Sequence, residues 1–268
     1  MLSGDMLQAE AYFDLDALGR YLPLFEGVGA VWEALDRLKN FIKEIIRPNL
    51  PTDFLQGVPL AKSLVLYEGK AYCLEDGFDL RLGERPEVLR EGRVLHEATL
   101  VMAGAVLWGE IELGPGVVVE PGALIKGPSI IGARAEIRQG AYVRGNCIIG
   151  EDCVVGHTTE IKHSIMLSGA KAGHFAYIGD SILGLGVNLG AGTKLANLKM
   201  RPGTVRILWQ GKSYDTGRCK LGAILGDGVQ TGCNSVTNPG VLLGPSSLIF
   251  PGLAVPSGIY PAKSFLRP

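Results

Sequence analysis

Three basic residues, Lys126, Arg144 and Lys162, are spaced eighteen residues apart. If the fold places residues at this spacing on neighbouring strands, the three side chains lie about 4.8 Å apart. Like charges at that distance repel by about 1 kcal/mol in water and about 3.5 kcal/mol at an effective dielectric of 20. A bound anion would relieve the repulsion, and phosphate is the natural candidate because both Arg and Lys bind it well. The alternative is that the three side chains are solvated and point away from one another.

Three of the four histidines lie between residues 157 and 174. His174 stands out because the sequence repeat described below breaks beside it, which frees its side chain from a role in the repeat. His157, His163 and His174 are compatible with a zinc site, since some β-helix enzymes are zinc carbonic anhydrases. Their spacings of six and eleven residues do not fit that family, so no metal is expected. Asn188 and Asn197 follow His174, but asparagine also serves as a corner residue.

The elements that position these residues come from a six-residue repeat. The aliphatic residues at this spacing are Leu113, Val119, Ile125, Ile131, Ile137, Val143, Ile149, Val155, Ile161 and Leu167. The period fits neither an α-helix nor the alternation of a β-strand. It is typical of a parallel β-helix, in which short strands are joined by corners. We therefore predict a mainly β fold, a left-handed parallel β-helix with three hexads, about eighteen residues, in each coil.

The repeat also divides the chain. Residues 1–93 do not follow the repeat. Helical spacing over 28–45 and a hairpin pattern over 64–74 predict a helix-plus-hairpin unit in this segment. We expect this unit to cap the open end of the β-helix. Residues 94–258 are predicted to form the β-helix. The repeat stops over about 198–219, where we expect a hairpin or loop that projects from the coil. Residues 259–268 are expected to be a C-terminal tail.

Composition argues against several classes of protein. The chain has 268 residues, is 47% hydrophobic and carries a net charge of −1, which disfavours nucleic acid or a charged membrane surface as partner. The sequence contains neither an apolar run of membrane-spanning length nor a basic start followed by an apolar stretch. The five cysteines lack paired metal-binding spacing, and we interpret them as reduced thiols of a cytoplasmic protein.

Several polar runs are recognisable as a set. They are EIK at 160–162, KAGHFAYIGD at 171–180 and VNLGAGT at 187–193, followed by KLGAILGD at 220–227. The first three resemble the C-terminal acetyltransferase domain of bifunctional N-acetylglucosamine-1-phosphate uridylyltransferase/glucosamine-1-phosphate acetyltransferases. The fourth resembles related sugar-1-phosphate nucleotidylyltransferases. The resemblance covers about residues 98–256 and needs no gap between Arg144 and Asn197.

The resemblance implies roles for individual residues. His174 corresponds to the general base that takes a proton from the sugar amine as it attacks a thioester. Asn197 corresponds to an asparagine near that thioester, and Cys233 stands where the family has a serine beside the acetyl group. The remaining matches are substrate contacts: Arg144, Lys162, Tyr177 and Lys220 for the sugar phosphate, and Asn188 for the sugar.

The resemblance further implies acetyl-CoA as donor, direct transfer without an acyl-enzyme, and a homotrimer with sites shared between subunits. As acceptor we predict an amino-sugar phosphate or a nucleotide-linked amino sugar. Positioning of the amine and proton transfer to a neutral imidazole would supply the rate. The alternative is a non-catalytic sugar-phosphate-binding or trimerising module that retains the site, which Cys233 and the long insertion favour. Residues 1–93 do not resemble the family's nucleotide-binding domain, so nucleotidyl transfer is not expected.

Overall fold

The computed structural model describes residues 5–83 and 85–268. From residue 99 onward, short parallel strands stack into three long sheets, which form the three faces of a β-helix as the six-residue repeat predicts. We call these faces sheets I, II and III. Antiparallel strands from the preceding part of the chain extend sheets I and II at one end.

For each sheet, the strands are given in the order in which they lie side by side. Sheet I contains Gln56–Pro59, Val106–Trp108, Leu124–Lys126, Tyr142–Val143, Glu160–Lys162, Tyr177–Gly179, Lys194–Leu195, Val236–Thr237 and Ala254–Val255. Sheet II contains Lys70–Cys73, Leu64–Tyr67, Thr99–Val101, Val118–Val119, Glu136–Ile137, Val154–His157, Lys171–His174, Asn188–Leu189, Gln230–Thr231, Leu248–Ile249 and Phe265–Leu266. Sheet III contains Ile111–Leu113, Ser129–Ile131, Cys147–Ile149, Ile165–Met166, Ile182–Leu183, Ala223–Leu225, Val241–Leu243 and Gly258–Tyr260.

The aliphatic position of each hexad points into the coil. Val143, Ile161 and Ile178 of sheet I are completely buried there. Each such side chain stabilises the fold by about 1.5–3 kcal/mol because it leaves water. Beyond the insertion the same interior position is taken by Thr231 and Thr237, which are also buried.

The coil loses one residue at two successive corners between sheets I and III. Ile149 therefore pairs with Met166, and the prediction of Leu167 as the tenth interior residue is wrong. Leu167 is buried on the outside of the coil instead, in the cluster formed with the N-terminal helices. The same shortening aligns His174 with His157, not with Gly156 as an eighteen-residue coil would require. A corner can lose a residue without breaking the ladder of strands on either side of it.

Residues 5–46 cover the outer face of sheet III. Helix α1 spans Ala34–Ile45 and is preceded by a 3-10 turn, Val31–Glu33. Leu35, Leu38 and Ile42 of α1 are fully buried in one cluster with the outward-facing isoleucines of sheet III. The remaining 3-10 segments are Asp5–Leu7, Ala9–Ala11, Leu15–Leu24 and Thr52–Phe54. The helix thus lies along a face, whereas the prediction put it at the open end.

The predicted hairpin lies at the open end. Leu64–Tyr67 pairs with Lys70–Cys73 and, on its other side, antiparallel with Thr99–Val101 of the first coil. Phe54 and Leu55 pack against the interior core at the same end. A separate small sheet contains Asp79–Arg81, Glu87–Arg90 and Arg93–Val94. In the part of the chain that the structure describes, no helix is long and apolar enough to cross a membrane.

The insertion forms the predicted hairpin, with Arg206–Trp209 paired to Lys212–Asp215. A bridge between Leu198 and Lys220 closes its base. The hairpin lies outside the coil, but it folds back on sheet III, where Val205 and Ile207 are buried with the N-terminal helices. The predicted C-terminal tail is wrong, because Gly258–Tyr260 and Phe265–Leu266 pair with the preceding coil.

Gly156 and Gly173 stack on adjacent strands of sheet II and provide a test of this register. A Cβ atom at Gly156 would collide with the backbone of Gly173, whereas a Cβ at Gly173 would meet nothing within 4 Å. We expect Gly156→Ala to lower the free energy of unfolding by about 1–3 kcal/mol. Gly173→Ala should change it by no more than about 0.5 kcal/mol. Urea unfolding of the two variants measures this difference, and equal stabilities would contradict the stacking.

Candidate functional site

Arg144 and Lys162 lie next to each other on the outer face of sheet I. The strands Tyr142–Val143 and Glu160–Lys162 are paired in register, and the Arg144 amide continues the ladder by donating to the Ile161 carbonyl at 2.8 Å. Both side chains point away from the interior because the residue before each of them, at the aliphatic position, points inward. The adjacency expected from the eighteen-residue spacing is therefore present.

Each of the two cations has a carboxylate partner within the chain. Arg144 Nη1 lies 2.6 Å from Glu160 Oε1, and Lys162 Nζ lies 3.4 Å from Asp180 Oδ2. The repulsion between the cations, which we expected a bound anion to relieve, is thus already offset. The Arg144–Glu160 pair lies at the surface, with side chains 43% and 34% exposed, so opening it costs only about 0–1 kcal/mol.

Asp180 is the centre of a buried polar cluster. Its side chain is 7% exposed, and Oδ2 accepts a hydrogen bond from Asn197 Nδ2 at 2.5 Å in addition to its contact with Lys162. Its other oxygen lies 3.6 Å from Arg218 Nη2. We call Asp180, Lys162, Asn197 and Arg218 the Asp180 cluster. The Arg218 side chain, 11% exposed, also pairs with Asp36 of α1.

The shortened corners explain why Asp180 occupies this position. His163 and Asp180 are equivalent corner residues in successive coils, with φ of 43° and 46°. The Asp180 amide donates to the Lys162 carbonyl at 3.1 Å, which fixes one corner against the other. With one residue fewer in each corner, the chain turns through these two residues and directs their side chains towards α1 and the insertion.

Tyr177 reaches the Asp180 cluster from the start of its strand. Its hydroxyl donates to Asn197 Oδ1 at 3.3 Å. Partial burial, together with the nearby carboxylates of Glu160 and Asp180, raises the pKa of Tyr177, so the hydroxyl keeps its proton and remains a donor. A Cβ at Gly179 would lie only 2.7 Å from the Tyr177 hydroxyl oxygen. The glycine therefore makes room for the contact.

His163 is held by α1 and takes no part in an open site. Burial lowers the pKa of His163, so the ring is neutral. Its Nε2 lies 3.0 Å from the Leu35 carbonyl, and because a carbonyl only accepts, this nitrogen carries the proton. The three histidines compatible with zinc therefore do not converge. Within residues 5–83 and 85–268, no group of three or more His, Cys, Asp or Glu side chains could hold a metal ion.

His174 lies at the end of its strand in sheet II, at the corner that leads into Tyr177. It is exposed, and its ring lies 6.2 Å from that of Phe175. His157 is in register with it on the preceding coil, and its Nδ1 is engaged with the Gln139 carbonyl at 2.9 Å. Successive corner hydrogen bonds place Cys233 at the same corner, two coils beyond His174.

The other predicted site residues lie further apart. Asn188 is exposed on sheet II, in register with Lys171 and Gln230. Lys220 is exposed at the base of the insertion, where its carbonyl accepts from Arg218 Nε at 3.1 Å. Both ends of the Asn197 amide are engaged, the nitrogen with Asp180 and the oxygen with Tyr177, so its contact with a thioester stays a prediction. The structure thus brings together four of the eight predicted residues at sheet I and the corner that follows it: Arg144, Lys162, Tyr177 and Asn197.

Sequence reasoning missed four charged residues around the site: Asp36, Glu160, Asp180 and Arg218. Glu160 stands two residues before Lys162 in a strand, so its side chain is on the same face, and this spacing alone could have identified it. The shift in the phase of the repeat could have drawn attention to Asp180. Neither Asp36 nor Arg218 belongs to the repeat, and no pattern in the sequence pairs them.

The region that forms this site has known relatives. Residues 125–249 match the sequence profile of a family described as the GMPPB C-terminal domain. The resemblance predicted from the sequence is confirmed over this region.

Three relatives show how far the similarity extends. A bifunctional sugar-1-phosphate nucleotidylyltransferase/acetyltransferase of Sulfurisphaera tokodaii is 42% identical over 101 residues, 38% of this chain and 25% of the relative. The bifunctional protein GlmU of Methanococcus maripaludis is 45% identical over 94 residues, 35% of this chain and 23% of the relative. GlmU of Methanocaldococcus jannaschii is 38% identical over 99 residues, which are 37% of this chain and 24% of the relative. The chain therefore spans about a quarter of the length of these curated relatives.

Proposed function

We propose that this chain is an N-acetyltransferase that moves an acetyl group from acetyl-CoA to the amine of an amino-sugar phosphate such as glucosamine-1-phosphate. The observation that carries the proposal is the adjacent pair Arg144 and Lys162, with Tyr177 beside them and His174 at the neighbouring corner. The names of the relatives support acetyl transfer in sugar-1-phosphate chemistry. We extend that chemistry to this chain, with a cytoplasmic homotrimer as the working form.

In this proposal the phosphate binds between Arg144 and Lys162. It displaces Glu160 from Arg144 at little cost, because that ion pair lies at the surface. Lys162 stays oriented by the buried Asp180, and the Tyr177 hydroxyl contributes a further donor. Charge-assisted hydrogen bonds of this kind give both affinity and a fixed orientation of the sugar.

The acetyl transfer itself needs a base beside the amine. As the amine nitrogen forms a bond to the thioester carbonyl carbon, it becomes more acidic and gives a proton to the His174 imidazole. The carbon–sulfur bond then breaks, and the CoA thiolate leaves and takes up a proton. Cys233, two coils away at the same corner, would lie along the donor's path. Its thiol is a weaker hydrogen-bond donor than a serine hydroxyl.

The proposal is tested by incubating the purified chain with acetyl-CoA and glucosamine-1-phosphate. We expect release of the CoA thiol together with an N-acetylated product of the correct mass. Glucosamine without phosphate should react much more slowly because it lacks the contact with Arg144 and Lys162. N-acetylglucosamine-1-phosphate should not react, since its amine is blocked. An absence of turnover with any amino-sugar phosphate would rule the proposal out.

The second candidate is a non-catalytic module that binds sugar phosphates or supports trimerisation. Two observations favour it. Within the described ranges the His174 ring has no hydrogen-bond partner to orient it, and the two cations already have carboxylate partners. Binding of glucosamine-1-phosphate without acetyl transfer would support this candidate over the enzyme.

A further inference from the structure

The basic column on sheet I extends beyond the two cations used by a sugar monophosphate. Lys126 lies on the strand next to Arg144, because Leu124–Lys126 is paired with Tyr142–Val143. Its ammonium lies 5.1 Å from the ring centroid of Trp108 and 5.4 Å from that of Tyr142. Unlike the other two cations, Lys126 has no carboxylate partner among the residues that the structure describes. The two rings hold the Lys126 ammonium in place, and its charge is available to bind an anion.

Trp108 stands one coil further along the same column, directly in register with Lys126. Its side chain is 57% exposed, although most of the apolar surface of sheet I points inward. An exposed tryptophan beside an unpaired lysine offers a planar surface for stacking and a positive charge at its edge. Base–aromatic stacking of this type contributes to affinity in nucleic-acid complexes.

The order of these groups points to a ligand. Trp108, Lys126, Arg144 and Lys162 occupy four consecutive strands, so the column spans about 14 Å at the usual strand spacing. An aromatic ring, a further cation and the proposed sugar-phosphate site follow one another along the column. In a nucleotide sugar the base, the distal phosphate and the phosphate attached to the sugar occur in the same order, with a ribose between the base and the diphosphate. We propose that the acceptor is a nucleoside diphosphate-linked amino sugar, with its diphosphate across Lys126 and Arg144 and its base against Trp108. This assignment rests on the proposed function, which puts the phosphate attached to the amino sugar between Arg144 and Lys162, next to Tyr177.

The competing explanation is purely structural. A cation over an exposed aromatic ring stabilises a fold without any ligand. On that explanation, Lys126 and Trp108 would affect only stability, and a sugar monophosphate would bind as well as a nucleotide sugar. The two explanations therefore differ in binding, which can be measured without acetyl transfer.

Titration calorimetry without acetyl-CoA decides between them, with UDP-glucosamine, UDP and glucosamine-1-phosphate as probes. We expect the wild type to bind UDP-glucosamine at least about tenfold more tightly than glucosamine-1-phosphate. Lys126→Met should weaken binding of UDP-glucosamine and of UDP by about tenfold and binding of glucosamine-1-phosphate by less than about twofold. Lys171→Met, which removes an exposed lysine on sheet II, should change none of the three affinities and is the matched control.

Trp108 supplies the second variant. Trp108→Ala should weaken binding of UDP-glucosamine by about tenfold because the base loses its stacking surface, and Trp108→Phe should restore most of the affinity. Phe265→Ala, at an equally exposed aromatic residue on sheet II, is the control. Restoration by phenylalanine separates loss of stacking from loss of folding.

The inference is overturned if UDP-glucosamine and glucosamine-1-phosphate bind the wild type equally, or if Lys126→Met weakens both by the same factor. Acetyl transfer is scored separately. Turnover of glucosamine-1-phosphate without any role for Lys126 would leave the proposed function standing and remove the inference. Lys126-dependent binding of UDP-glucosamine without turnover of any acceptor would support the inference about binding and remove the proposed function.

Discussion

His174→Ala should lower kcat for acetyl transfer by about 10²–10⁴-fold, because proton transfer by a positioned side chain supplies that much of the rate. The KM for the amino-sugar phosphate should change little, since the phosphate contacts lie on sheet I. The His174 side chain is exposed, so the free energy of unfolding should stay within about 0.5 kcal/mol of the wild type. Steady-state kinetics and urea unfolding of one preparation measure both quantities.

His157→Ala is the matched control for that experiment. His157 occupies the same corner one coil earlier, but its Nδ1 is engaged with the Gln139 carbonyl. The kcat of His157→Ala should therefore fall only a few-fold. Full activity in His174→Ala, or an equal loss in both variants, would show that His174 is not the base.

The interior of the fold could be predicted from the sequence because one physical requirement acts at every sixth residue. A side chain that points into a narrow coil must be small or aliphatic, so the pattern is visible without knowing any contact. The outer face of sheet III carried a similar signal. Aliphatic residues stand in pairs at Ile130–Ile131 and Ile148–Ile149, and one member of each pair points outward. Such pairs predict a covered face, which α1 and the insertion provide.

The candidate site could be predicted only as far as the coil kept its length. Counting eighteen residues placed Arg144 beside Lys162 correctly, since no residue is lost before that corner. The same count placed His174 beside Gly156, one residue away from its observed partner, because the corner at His163 is shorter. The length of a corner depends on local backbone geometry, and the identities of residues eighteen apart do not reveal that length.

The contacts between the site and the N-terminal unit were beyond sequence reasoning for another reason. Helix α1 reaches the site through two contacts, Asp36 with Arg218 and the Leu35 carbonyl with His163. Each contact joins segments that belong to no common repeat, so no periodicity relates them. The N-terminal unit therefore does more than cover apolar surface, because it supports the side of the Asp180 cluster that faces away from solvent.

Asp180→Ala is expected to have the largest effect on stability. It leaves Lys162 and Arg218 with one partner fewer in a region where Asp180 is only 7% exposed, and it removes the acceptor for Asn197. Removing one member of a buried ion pair costs about 3–5 kcal/mol, because the remaining charge stays buried without compensation. Urea unfolding should show this loss as a lower midpoint with an unchanged slope.

Asp215→Ala is the matched control, since Asp215 also pairs with an arginine but is 44% exposed in the same region of the chain. An exposed ion pair contributes about 0–1 kcal/mol, so this variant should remain close to the wild type. Asp180→Asn keeps an acceptor for Asn197 and should lose less than the alanine variant. If Asp180→Ala costs no more than Asp215→Ala, the cluster does not hold the site together. Lys162 would then have to be oriented by the bound phosphate alone.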